Sequence, residues 1–68
     1  MKDKWRKDRD LAGAKLIEMW TKGGFDQPLF LVYIDLGDYD FAYHIITKSD
    51  FNKPYWHDAK FVTSIGES

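Results

Sequence analysis

Three carboxylates crowd the six residues Asp35-Leu36-Gly37-Asp38-Tyr39-Asp40, and little else in the chain offers chemistry at a usable spacing. Hard cations take six or more oxygens, usually from a loop that wraps the ion. Asp35, Asp38 and Asp40 offer three carboxylates from one hairpin and do not follow the D-x-[DN]-x-[DN]-G spacing, so no metal site is assigned to them. The same charges suit recognition, because acidic side chains beside a tyrosine complement arginines or lysines on a basic protein surface. They also suit a plain turn, since Asp favours turns and is well solvated at a hairpin tip.

The two histidines, His44 and His57, form an acid–base or metal cluster with Asp58 only if the loop between them folds back. No G-x-S-x-G, phosphate loop or H-E-x-x-H occurs. No catalytic residue and no cofactor is assigned.

A third group is cationic. Lys2, Lys4, Arg6, Lys7 and Arg9 surround Trp5, and such a run can follow phosphates while its ring stacks on a base. Residues 1–22 hold seven Lys/Arg against four Asp/Glu, a balance of +3, whereas residues 23–68 hold three against seven, a balance of −4. The acidic remainder repels a nucleic-acid backbone, and true nucleic-acid domains spread positive charge over a face. Nucleic-acid binding through Lys4, Trp5, Arg6, Lys7 and Arg9 is therefore the alternative reading.

The elements that position these residues follow from periodicity. Trp5, Ala12, Leu16, Met19 and Trp20 form one helical stripe, interrupted by Arg9. Gly23-Gly24 supplies the positive φ that closes a helix, which predicts a helix over roughly 4–22. The shorter alternative starts at Asp8 or Asp10 and leaves residues 1–7 as a mobile basic arm. "LFLVYIDL" alternates as a strand, "YDFAYHIIT" returns, and Gly37-Asp38 makes a two-residue hairpin loop. That loop sets Leu36 against Tyr39, Ile34 against Phe41, Val32 against Tyr43, Phe30 against Ile45, and Asp35 against Asp40. The face carrying Phe30, Val32, Ile34, Phe41, Tyr43 and Ile45 is the expected seat of the helix. Leu29, Leu31, Tyr33, Ala42, His44 and Ile46 form the second face. Residues 48–58 read as a loop with room for one helical turn, and "AKFVTSI" as a third strand. The fold class is α+β: one amphipathic helix on a three-stranded antiparallel sheet, order α-β-β-β, in a single domain over 1–68.

Composition bounds the function. A 68-residue chain buries only about 60% of its unfolded surface. With no cysteine it relies on its five Phe, four Tyr and three Trp for core mass. The charged N-terminus lacks the apolar core of a signal peptide, and no run approaches a membrane span. A cytoplasmic protein is expected, since the absence of cysteine suits a reducing compartment. Twelve rings exceed what so small a core needs, so some are expected at a protein contact, with a second copy or a different partner. The expected function is a small non-catalytic protein-interaction module, in which Asp35, Asp38, Asp40, Tyr33, Tyr55 and Trp56 bind a basic surface of another protein. By analogy of size and charge it suits an accessory or inhibitor protein of the kind phages and mobile elements encode.

Overall fold

The computed structural model describes residues 2–66, with side chains from Lys7 onward. Helix α1 spans Lys2–Lys22, so the longer helix is the one formed and residues 2–7 are helical backbone. The side chains of Lys4, Trp5 and Arg6 lie outside the described set. The helix stops where expected: Gly23 and Gly24 have φ of 81° and 90°, and the Gly23 N–H donates to the Trp20 carbonyl at 3.0 Å. Among the described residues no helix is long and apolar enough to cross a membrane.

Strands β1 (Leu29–Gly37), β2 (Asp40–Thr47) and β3 (Lys60–Ile65) form one antiparallel sheet in the order β2-β1-β3. β1 is therefore central, which explains why its first four residues are all buried. Leu29 and Leu31 face α1, where they pack with Ala12 and Leu16, and Trp20, Tyr43, Ile45, Val62 and Ile65 close around them. Phe30 and Val32 face the other way and pack with Ile46 and Ala59.

That second face has its own cover. Thr47 caps a one-turn helix, α2 (Lys48–Phe51), by accepting the Asp50 N–H at 3.2 Å. Gln27 fastens the same turn by accepting the Ser49 N–H at 2.8 Å. Phe51 lies edge-on over Phe30 at 5.4 Å, and the 3-10 turn Pro54–Trp56 sets the Trp56 ring against His44 at 5.3 Å. The molecule has a helix above the sheet and an aromatic strap, residues 48–59, below it.

The expected hairpin register is corrected by one residue. Tyr33 pairs with Tyr43, Val32 with His44 and Phe30 with Ile46. The turn is Asp38-Tyr39 rather than Gly37-Asp38, and Leu36 is an extra, bulged residue between the Asp35–Phe41 and Gly37–Asp40 pairs. A one-residue slip moves a whole strand to the opposite face. Phe41, Tyr43 and Ile45 do face the helix as expected, but beside Leu29, Leu31 and Tyr33 instead of Phe30, Val32 and Ile34.

Candidate interaction surface

At the hairpin tip all three backbone positions before Asp40 are left-handed: φ is 82° at Gly37, 51° at Asp38 and 62° at Tyr39. Positive φ at both central residues is the geometry that matches the twist of a two-residue hairpin, and it favours Asn or Asp followed by Gly. Asp38 suits its place. Tyr39 does not, since a residue with a Cβ loses about 1–2 kcal/mol in this conformation.

Asp35 and Asp40 do not oppose each other. Asp35 pairs with Phe41 and Asp40 with Gly37, so the expected like-charge pair is absent. Each carboxylate instead serves the local backbone. Asp35 Oδ1 accepts the Gly37 N–H at 2.8 Å, fixing the bulge, and Asp40 Oδ1 accepts the Phe41 N–H at 3.0 Å. Among the described residues the Asp38 carboxylate makes no hydrogen bond. All three are exposed. Between them Leu36 is 59% and Tyr39 83% exposed, so the tip alternates acid and bare apolar surface along six residues.

The expected aromatic partners do not all join this tip. Tyr33 lies on the helix side, its ring edge-on to Phe41 at 5.4 Å and tilted against Tyr43 at 6.2 Å. Tyr55 and Trp56 belong to the strap on the opposite face. Trp56 is half-buried there, and Tyr55 is exposed beside it. The structure therefore groups Asp35, Asp38 and Asp40 with Leu36 and Tyr39, and divides the other rings between two faces.

The histidines also stay apart in role. His44 packs on Trp56, whereas His57 lies in the solvent, its Nδ1 2.8 Å from the Pro54 carbonyl oxygen and its Nε2 3.2 Å from Asp58. Among the described residues no three His, Asp or Glu side chains gather as a metal site. In α2, a hydrogen bond from Lys53 holds the exposed Asp50 carboxyl below its usual value. Of the cationic group, Lys7 is exposed, while Arg9 joins Tyr33 and Tyr43 in lining a groove between α1 and the sheet.

No protein-family model, curated protein or solved structure matches this chain.

Inside the helix–sheet seam, the Tyr43 hydroxyl is shielded from solvent without a hydrogen-bond partner among the described residues. Burial, opposed by Arg9 and aided by Asp8 and Tyr33, raises its pKa. A buried hydroxyl without a partner costs about 1–3 kcal/mol, so Tyr43→Phe is expected to be neutral or to stabilise by about 1 kcal/mol. The sign of the pH effect is fixed. A raised folded pKa means full stability below about pH 10 and loss above it. In urea titrations the Phe variant should lose less stability between about pH 9 and 11 than the parent; an unchanged alkaline slope would show that the hydroxyl is solvated.

Proposed function

We propose that the protein is a non-catalytic binding module whose hairpin tip enters a cleft on another protein, Tyr39 filling an apolar pocket and Asp35, Asp38 and Asp40 facing basic residues on its rim. The observation that carries this reading is Tyr39 itself. A large ring stands 83% exposed on a left-handed backbone, an arrangement that costs stability and returns none within the monomer. Strain of this kind is retained where function uses it. Tyrosine in a pocket, ringed by charge, is the residue type and setting in which binding energy concentrates. The carboxylates add steering and orientation more than affinity. Regulation or inhibition of a basic partner in a cytoplasm is the role that fits such a module.

Tyr39→Gly separates the two consequences. Relief of the left-handed strain outweighs glycine's extra unfolded-state entropy by about 0.5–1 kcal/mol, so the melting midpoint should rise by a few degrees. Binding should fall by about tenfold or more. Asp38→Lys should weaken binding as well, and Asp35→Asn with Asp40→Asn should do so while keeping both backbone acceptors. Pull-downs from nuclease-treated lysate with parent and variants provide the readout. A partner held equally by parent and Tyr39→Gly protein would sink the proposal. With the nuclease omitted, recovery of nucleic acid alone, lost in Lys7→Glu, would transfer the function to the start of α1.

A further inference from the structure

β2 and β3 are both edges of the sheet, but only β3 carries the features that keep edges apart. β3 is six residues long, begins with Lys60, and is kinked by Val62, which is extra between the Leu31–Thr63 and Val32–Phe61 pairs. β2 has eight residues, and from Phe41 to Thr47 it holds no proline, no Lys, Arg, Asp or Glu, and no bulge of its own. Long, uncharged, unbulged edges are templates for another strand.

The direction of its outward groups follows from one hydrogen bond. The Lys48 N–H points inward, to the Pro28 carbonyl at 3.1 Å. By strand alternation the N–H and C=O groups of Tyr43, Ile45 and Thr47 and the C=O of Phe41 point outward, the Phe41 N–H being taken by Asp40 Oδ1 at 3.0 Å. Above this edge α1 leans over β1 and β2 rather than β3. It leaves a groove walled by Leu11, Lys15 and Met19 of the helix and floored by Tyr43 and Ile45. Leu11 is 59% exposed and Met19 37%.

We infer that this edge is occupied by a second copy of the chain, β2 pairing antiparallel with β2 about a two-fold axis at His44 to give a six-stranded sheet. Two-fold pairing keeps the faces matched only when the axis passes through a residue, and His44 is the centre of the outward-facing set from Phe41 to Thr47. Phe41 then meets Thr47 of the second copy, and Tyr43 meets Ile45. The helices cross the axis antiparallel, which brings Leu11 against Leu11 and Asp8 towards Lys15. The surface is thus complementary to itself in both charge and apolarity, as an isologous contact requires.

The size of the contact sets its strength. An eight-residue strand is ~27 Å long, and with the helix layer ~10 Å above it the seam covers on the order of 500–600 Å² per copy. That total lies at the low end of specific interfaces, so dissociation is expected on the order of micromolar. The turn at Asp38-Tyr39 stays outside the seam, and this inference stands independently of the hairpin-tip proposal.

Sedimentation equilibrium from about 1 µM to about 1 mM tests it. The expected result is a monomer–dimer equilibrium weakened about tenfold or more by Leu11→Lys and by Asp8→Lys. Adding Lys15→Asp to Asp8→Lys should restore it, whereas misfolding would not be rescued by a second charge change. Three outcomes overturn the inference: a monomer throughout, a dimer indifferent to Leu11→Lys and Asp8→Lys, or failure of the charge swap to restore association. Open-ended growth beyond a dimer also overturns it, since a closed two-fold contact stops at two copies.

Discussion

Leu31→Ala is expected to leave little folded protein at physiological temperature. Leu31 is 1% exposed at the centre of the central strand and packs directly with Ala12 and Leu16 of α1. Removing a buried leucine side chain costs about 2–5 kcal/mol, with the high end where the surroundings cannot collapse. Here collapse is hindered, because the position is covered by a helix and flanked by strands on both sides. A 68-residue chain has in total about 3–10 kcal/mol of stability, so one substitution can remove most of it. Urea denaturation followed by circular dichroism measures the effect, with Ile17→Ala as the control at a 58% exposed position. The control should change stability by at most about 0.5 kcal/mol. Comparable losses for both variants would mean that the core is not where the strand alternation places it.

Gly66→Ala is the second large effect, expected at about 2–4 kcal/mol. Two causes add. Gly66 has φ of 89°, where a Cβ is disfavoured by about 1–2 kcal/mol. A Cβ there would also run into the Trp20 ring, which is held by the α1-side core and stacked on Phe25 at 6.3 Å. The Trp20 ring would have to leave its place. A double-mutant cycle separates the causes: in a Trp20→Leu background the collision is relieved, and Gly66→Ala should then cost only the backbone share. Equal costs in both backgrounds would show that the ring gives way freely.

The parts of the fold set by local rules are legible in the sequence. The apolar stripe from Ala12 to Trp20 and the two glycines after Lys22 identify α1 and its end, and the alternation of residues 29–36 identifies β1. The hairpin register departs from the one the pattern predicts because one feature is silent in the pattern. A bulge at Leu36 and a turn on Asp38-Tyr39 together shift the pairing by one, and both break the usual preference for glycine within the turn. Gly37 attracts the turn by composition, although its positive φ serves the bulge. The shift carries through to the site. Asp35 and Asp40 are not opposed, and Leu36 and Tyr39, which the pattern pairs on the core face, stand out in solvent. Local sequence also does not report which rings share a face. Tyr33 and Tyr55 lie on opposite sides because the strap, residues 48–59, crosses beneath the sheet, and that path depends on contacts such as Phe51 with Phe30.

The contact of Trp20 with Gly66 joins the first element of the chain to the residue just after the last strand. A free helix of this length is marginal in water, and the seat of α1 on Leu29 and Leu31 is complete only when Ile65 closes against it. During synthesis, then, the helix leaves the ribosome long before the surface that retains it. Its last turn cannot lock until residue 66 has emerged. The chain therefore completes its fold only once β3 has emerged.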